Sequence, residues 1–448
     1  MQGIVNVMLS AMQHRGRGAS VICDQNQPNI AIGLAGISEE EHILESDHGA
    51  AALDGTLFKG DRRKLMHTAL QQSLQGFNSI ACTPGAFVLL CAREGRLQAL
   101  RDPNGLRPLY NSHGPGSTMI ASERKALWRI GMKEVYRILP GQLYTVTNRG
   151  QLRIRNLFKF PRPVERQMTL QYATSTLKRL LIKSTLLITK DVKRVAVAFS
   201  GGLDSAITAV LAKRKILEVE LISAGLRGSQ ELQTVEQYAR LLNLPISVEA
   251  YDLDSLEQYV RKVLWLIEEP SLMKVSIAIP LYWAADLASR RGHSVLLCGQ
   301  GSDELYGGYY RYARVLDNDG RRALLAELYR SIVESPQVNY ERDEQATCPT
   351  GVELRTPFAN NDVIRFSLQI PVEFKVRKGD DLMRKWVLRE TARKLGLPEN
   401  LVWRRKKAIQ HGTGVEDAIR KLAKGQKLTP ETYLRKVHES LINLQRMP

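Results

Sequence analysis

Apolar and polar positions along the chain follow two rhythms, and the change between them falls near residue 160. Before it, short apolar runs at 87–90, 97–100, 117–120 and 141–146 are separated by turn residues, as strands are. Residues 65–74 place apolar side chains at helical spacing and read as one helix. Beyond residue 160 an amphipathic helix at 168–189 comes first. Strand-like runs at 195–199, 219–223, 246–250 and 294–298 then alternate with helical stretches at 205–213, 231–242, 255–267 and 280–290. Buried strands alternating with helices predict an α/β unit built on a parallel sheet. From residue 318 onward the pattern is mostly helical. Pro161 and Pro163, mixed with Lys159 and Arg162, break any regular element, so the expected domains are 1–160 and 161–448.

Size agrees with that division, since 448 residues exceed what one hydrophobic core serves. No apolar run approaches the ~20 residues needed to cross a bilayer, so no membrane partner is expected. The first residues lack the make-up of a secretory signal, so a cytoplasmic location is expected. Five cysteines, Cys23, Cys82, Cys91, Cys298 and Cys348, include no C-x-x-C pair, which argues against a disulfide framework or a structural zinc site. The formal charge of +18 would attract ATP, pyrophosphate or nucleic acid. Its Lys and Arg are spread over both halves, so an ordinary basic surface explains it equally well.

The strand at 195–199 runs into Ser200-Gly201-Gly202-Leu203-Asp204-Ser205 and then a helix. Two glycines permit a tight turn with inward N–H groups, and the helix N-terminus adds unpaired donors and partial positive charge. Such a turn cradles an anion. Ser200 and Ser205 supply hydroxyl donors, and Asp204 supplies a carboxylate for Mg²⁺. A plain junction with a capped helix is the competing explanation.

The loop resembles the pyrophosphate loop of the ATP pyrophosphatase superfamily, and it lacks the Gly-Lys-Ser/Thr ending of a Walker A loop. The resemblance implies cleavage of ATP between its α and β phosphates. Gly299-Gln300-Gly301-Ser302-Asp303-Glu304-Leu305-Tyr306-Gly307-Gly308-Tyr309, Gly351 to Phe358, Lys385 to Arg389 and Trp403 to Lys406 are similar, in order, to the signatures of the glutamine-hydrolysing asparagine synthetases. Gly225 to Ser229 is similar to that family's nucleotide-contacting stretch. The resemblance implies an adenine-nucleotide α-hydrolase-like synthetase domain that adenylates a carboxylate and transfers it to an amine. It implies that Asp204 and Asp303 hold Mg²⁺. Lys406 would stabilise charge on the α-phosphate and acyl oxygen. Ser200 to Ser205, Gly225, Gly299 to Ser302 and Lys385 would contact ATP or pyrophosphate.

Arg101 to Tyr110, Ala121 to Leu127, Gly3-Ile4 and His14-Arg15-Gly16 resemble a class II glutamine amidotransferase domain, an Ntn-hydrolase-like αββα sandwich. That family uses a cysteine at position 2, where this chain has Gln2, and its Asn-Gly oxyanion pair stands here as Asp54-Gly55. An amide cannot form a thioester, so no glutaminase activity is expected. Ammonia would come from solution or a separate subunit. Gln300 replaces an acidic residue of the family, leaving Glu353 as the nearest motif carboxylate to take the amine's proton. Ser276 replaces an arginine that clamps aspartate, with Lys274 nearby. The carboxylate is therefore aspartate or another small acid, and the amine is ammonia or another. A tRNA-modifying ligase acting on a carboxylated nucleoside and an inactive regulatory homologue stand as alternatives, and the sequence leaves the oligomeric state open, a homodimer being one option.

Overall fold

The structure is a computed structural model, and it describes residues 1–16, 19–23, 30–36, 42–46, 49–114, 116–216, 218–377, 379, 383–405 and 412–445. The chain divides into two compact units at Lys159–Phe160, with the C-terminal residues from Glu439 grouped with the first.

In the first unit, among the described residues, the strands are β1 (Ala19–Cys23), β2 (Ala31–Ala35), β3 (Ile43–Ser46), β4 (Gly49–Leu57), β5 (Gly85–Arg93), β6 (Arg96–Arg101), β7 (Tyr110–Gly114), β8 (Ser117–Ala121), β9 (Tyr136–Arg137), β10 (Gln142–Thr147) and β11 (Leu152–Asn156). The helices are α1 (Gln2–Ser10), α2 (Arg62–Leu70), α3 (Leu74–Ala81) and α4 (Arg124–Arg129). A six-stranded antiparallel sheet has the order β11-β10-β6-β5-β4-β3. Met66, Phe77 and Ile80 of α2 and α3 pack on one face, against Leu53, Phe87 and Leu89. Val88, Ala99 and Tyr144 on the other face meet Leu109 and Ile138, while Ala52 and Ala92 meet Ile32 of β2. Behind this second β layer, α1 and α4 bury Met8, Leu9 and Leu127. The result is an α–β–β–α sandwich.

The helix expected over 65–74 is two helices. Gln72 takes a left-handed φ of 53°, and Ser73 caps the second by accepting from Gly76 N at 2.9 Å. Serine with a bonded side-chain oxygen restarts a helix, so local capping outweighs the continuous apolar spacing. Gln2 and Gly3-Ile4 lie in α1, a helix.

The second unit holds a parallel sheet of β12 (Arg194–Ala198), β13 (Glu218–Leu226), β14 (Ile246–Tyr251), β15 (Val295–Leu297) and β16 (Glu353–Arg355). Its order is β14-β13-β12-β15-β16, every pair parallel. Its helices include α5 (Leu170–Ile188), α6 (Leu203–Lys213), α7 (Gln230–Leu242), α8 (Leu256–Ile267), α9 (Leu272–Arg290), α10 (Ser302–Tyr306), α11 (Tyr310–Asn318), α12 (Gly320–Ser335), α13 (Glu341–Thr347), α14 (Asn361–Ser367) and α15 (Trp386–Leu395), with further helices at Glu399–Val402, Val415–Gly425 and Pro430–Gln445. Ala196, Ile222 and Leu296 bury against Leu281, Ala285 and Ala288 of α9, while α6 packs on β12 and β13. The helix expected to begin at residue 280 begins at Leu272, because Ser271 caps it and Pro280 is accommodated inside. β12, the first strand, sits in the middle of the sheet, and the order reverses between β12 and β15. That reversal opens a crevice beyond their C-terminal ends, where open α/β sheets bind ligands. Among the described residues, no helix is long and apolar enough to cross a membrane.

Candidate active site

Two loops leave the sheet at this crevice, one after β12 and one after β15. In the first, Gly201 has φ +66° and Gly202 caps α6. A Cβ on Gly201 would lie 2.5 Å from Arg404 Nη1 and 2.7 Å from Tyr238, so only glycine fits this turn. The turn is tied internally: Gly202 N donates to Ser200 Oγ at 3.3 Å, and Ser205 Oγ donates to Gly202 O at 3.0 Å. Serine hydroxyls and the N-terminus of α6 therefore converge on one small volume, as the sequence reading expected.

The second loop begins with Gly299, where a Cβ would meet Asp204 Cβ at 2.7 Å. Gly301, at φ +91°, turns the chain into α10, whose first residues are Ser302 and Asp303. Both loops meet at Lys385. Its Nζ donates to Asp204 Oδ1 and Oδ2, each at 2.7 Å, and to Ser302 Oγ at 2.9 Å, and it pairs with Asp303 Oδ1 at 2.5 Å. Lys385 is 3% exposed. Burial alone would lower its pKa, but Asp204 and Asp303 outweigh burial and raise it, so the ammonium stays charged.

Lys385 and its neighbour Arg384 hold left-handed backbones, φ 56° and 44°. Non-glycine residues pay about 1–3 kcal/mol each for this conformation, and it persists only where surroundings enforce it. Arg389 provides that enforcement. Fully buried, it donates to the carbonyls of Met383 and Arg384 at 3.0 and 2.8 Å and of Arg404 at 3.2 Å, lashing the segment before α15 to the segment after it. Arg404 lies 4.3 Å over the Tyr238 ring and donates to Ser200 O at 3.3 Å. Together Ser200, Asp204, Lys385, Arg384, Arg404 and Arg405 line an open cleft. Carboxylates at its floor and guanidinium groups at its wall suit a polyphosphate carried with a cation.

Of the residues expected at the site, Ser200 to Ser205, Gly299 to Asp303 and Lys385 come together. Gly225 ends β13 beside this crevice, where a Cβ would come within 3.6 Å of Thr413 Cα. Glu353 does not join them. It pairs with Val295 at the entry end of the sheet, about 16 Å along the strands from the loop after β12. There it forms a 2.6 Å ion pair with Arg355, which also holds Asp191 at 2.7 Å. It was expected as the nearest motif carboxylate, and it stands at the first residue of β16, two residues before the end of the strand that faces the crevice. Lys406 lies outside the described residues.

Ser276 is fully buried and donates to Met273 O of its own helix at 3.1 Å. Lys274 is engaged by Glu269 and by Gln337 O, the latter at 2.7 Å. Sequence reasoning missed Arg384, for which backbone strain is the only signal, and α13. Glu341-Arg342-Asp343-Glu344-Gln345 reads as a solvated charged run, yet all five are buried. Asp343 accepts from Arg342 Nε at 2.7 Å and from Gln300 Nε2 at 2.7 Å.

The motif of the first unit has a structural explanation. Asp102, fully buried, accepts from the backbone N–H groups of Asn104, Leu106 and Arg107 at 3.0 to 3.1 Å, closing the Asp102–Arg107 turn. Arg101 donates to Gly105 and Ile138 carbonyls, each at 2.8 Å.

Comparison with known proteins bears on this site directly. The family model described as asparagine synthase matches residues 176–347 and 317–443. A putative glutamine-hydrolysing asparagine synthetase 1 of Methanocaldococcus jannaschii is 32% identical over 383 residues, 76% of this chain and 70% of its own length. Glutamine-hydrolysing asparagine synthetase 2 of Arabidopsis thaliana is 27% identical over 73% of this chain, which spans 58% of that relative. Among solved structures, a glutamine phosphoribosylpyrophosphate amidotransferase of B. subtilis, complexed with ADP and GMP, aligns at TM-score 0.31 and 16% identity over 55% of this chain and 62% of its own, too little overlap to carry a structural conclusion. The chain belongs to the asparagine synthase family, whose members are carbon–nitrogen ligases.

Proposed function

We propose that the second unit activates a small carboxylate with ATP as an acyl adenylate, releases pyrophosphate, and passes the acyl group to ammonia or another amine. The convergence of Asp204 and Asp303, from the two loops that flank the β12–β15 crevice, on one buried cation carries this reading. Backbone N–H groups of the loop after β12, with the Ser200 and Ser205 hydroxyls, would receive the β and γ phosphates. Arg384, Arg404 and Arg405 add fixed positive charge along the same wall, favouring the charge that grows as pyrophosphate departs.

The donor set fits Mg²⁺. Asp204 and Asp303 offer hard oxygen ligands already gathered within 2.7 Å of one ammonium. Among the described residues no group of three or more metal-ligating side chains exists, so phosphate oxygens would complete the shell, as is usual for nucleotide-borne magnesium. When bound, the ion would neutralise charge on the departing pyrophosphate. Lys406, from the segment after Arg405, is proposed to act on the α-phosphate and acyl oxygen.

Aspartate is one candidate carboxylate, and another small acid fits equally, since Ser276 and Lys274 are committed to protein partners. Glutamine is not proposed as the amine source. Position 2 carries an amide in place of a thiol, and Cys91 is buried, with its thiol pushed up to about 12 by that burial. The +18 charge favours a second reading in which the carboxylate is carried by tRNA.

Pyrophosphate release with Mg-ATP and ammonium, measured against a panel of amino acids and bulk tRNA, tests all of this. Release should depend on one member of the panel, and Asp204→Ala or Lys385→Ala should lower it by more than about tenfold. Carboxylate-independent release, or a variant retaining more than a tenth of the rate, would overturn the assignment.

A further inference from the structure

Gln300 belongs to the loop expected along the nucleotide, and its side chain has a further role to fill. It stands between Gly299, packed against Asp204, and the Gly301-Ser302 turn that meets Lys385. Its backbone is fixed, because Gln300 O accepts from Thr356 Oγ1 at 2.7 Å. Its side chain is fixed as well, because Nε2 donates to Asp343 Oδ2 at 2.7 Å. An ionised carboxylate can only accept, so it decides which end of the amide faces it. The nitrogen end is held by Asp343 and the oxygen end points away, taking no hydrogen bond from the described residues.

Asp343 cannot easily yield. It is 1% exposed on the buried helix α13, and its Oδ1 takes both Nε and Nη2 of Arg342, at 2.7 and 2.6 Å. Burial pushes its carboxyl up from the ordinary range, while Arg342 and Gln300 pull against that rise. Of the reacting groups in the proposed ligase reaction, carboxylate and phosphates bring acceptors. The amine brings N–H donors, and so does the ammonium of an amino-acid substrate; an unclaimed amide oxygen is the complement of either, and the amine-independent half-reaction separates the two.

We propose that Asp343 is a positioning residue for the amine step, setting Gln300 so that its amide oxygen receives an N–H of the incoming nucleophile. The inference rests on the ligase reading, but concerns only its second half. A neutral acceptor orients an amine without removing its proton, so the nucleophile arrives uncharged.

Reversal of hydrogen-bond polarity tests it. Gln300→Glu sets a second carboxylate against Asp343, and two such groups in contact cannot both ionise. Asp343→Asn offers an N–H where Gln300 already presents one, so the amide of Gln300 turns round and shows the amine a donor. Each single change should lower amine-dependent kcat/KM by about tenfold or more. Joined, Gln300→Glu and Asp343→Asn restore a donor–acceptor pair with an oxygen left for the amine, and activity should return to within about threefold of wild type. Carboxylate-dependent ATP–pyrophosphate exchange, which needs no amine, should stay within about twofold in Asp343→Asn, which lies outside the nucleotide-contacting set, and thermal melts report that each variant is folded. A purely structural contact predicts that the double variant is no better than the worse single one. That result, or full activity in Gln300→Glu, would overturn the proposal. Absence of exchange in the wild type would instead sink the ligase reading.

Discussion

One methyl group placed at Gly308 tests whether the Asp303–Lys385 contact is the centre of the site. A Cβ built there lies 1.8 Å from Asp303 Oδ1 and 2.2 Å from Lys385 Cε, whereas real Cβ contacts stay beyond 3.0 Å. Both groups must therefore retreat by about 1 Å or more to regain ordinary van der Waals distance. Neither retreat is free of consequence. Asp303 is anchored through its carbonyl, which accepts from Gly308 N at 2.9 Å, so its carboxylate must swing alone and leave Lys385. Lys385 is buried and held in a left-handed backbone. The backbone of Gly308 itself is not among the positive-φ positions, so alanine adds no strain of its own there. Overpacking costs roughly 1–3 kcal/mol, and a displacement of about 1 Å among reacting groups costs about a hundredfold in rate. Gly308→Ala should consequently remain folded, melt a few degrees lower, and release pyrophosphate about a hundred times more slowly. Gly425→Ala, where a Cβ meets nothing within 4 Å, is the matched control and should behave as wild type. A folded Gly308→Ala protein within about threefold of the wild-type rate would refute the placement of the site.

Two other expectations concern the first unit and the cysteines. Burial would raise Glu123, yet Lys125, then Arg15 and His14, hold it well below the usual carboxylate range, so its contribution to stability is present above the unfolded value and is lost only as pH falls through the depressed folded one. Thermal melts should show Glu123→Gln destabilised by roughly 3–5 kcal/mol near neutral pH, through the unpaired buried Lys125, with the gap narrowing in strong acid. Alkylation of the native protein near pH 8, read by mass spectrometry, should label exposed Cys82 well before Cys91 and Cys298, whose thiols burial pushes up to about 12; equal labelling of all three would contradict that burial.

The parallel sheet of the second unit was legible because β12 buries Val195 to Val197 and β13 buries Leu221 to Leu226 as near-continuous apolar runs, while the half-buried edge strand β14 alternates Ile246, Val248 and Ala250 with Ser247 and Glu249. The loop after β12 was legible for a different reason: only glycine at Gly201 avoids Arg404 and Tyr238, so the turn leaves a mark in the sequence. Capping was harder to see. Ser73 and Ser271 each begin a helix through one side-chain oxygen, and apolar spacing carries no trace of either. Hardest of all was α13, whose charges read as a solvated face because charged side chains seldom enter a core. Arg342 pairs with its neighbour Asp343, but Asp343 and Gln345 also have partners far away in the chain, Gln300 at 2.7 Å and Glu268 at 3.1 Å, and pairing across such a separation is invisible to any local pattern.

That same principle explains Glu353. In the chain it is the nearest motif carboxylate to stand in for the acid that Gln300 replaces, and it precedes by three residues Thr356, whose hydroxyl donates to Gln300 O at the crevice. A strand advances about 3.3 Å per residue, so β16 carries its last residue toward the crevice and its first toward the opposite edge. Arg355 then turns back along the sheet to meet Glu353 and Asp191, which stabilises the strand as a girder and leaves Thr356 to do the aiming. Motif membership therefore divides by direction of travel. Residues that follow a strand of this sheet reach the crevice, and those that open one support it. The rule separates Ser200 from Arg194 on β12, and Gly299 from Val295 on β15. It also predicts that Glu353→Gln will lower the melting temperature through its buried ion pair while leaving the rate of pyrophosphate release near that of wild type. A rate falling tenfold or more without loss of stability would return Glu353 to the chemistry and break the rule.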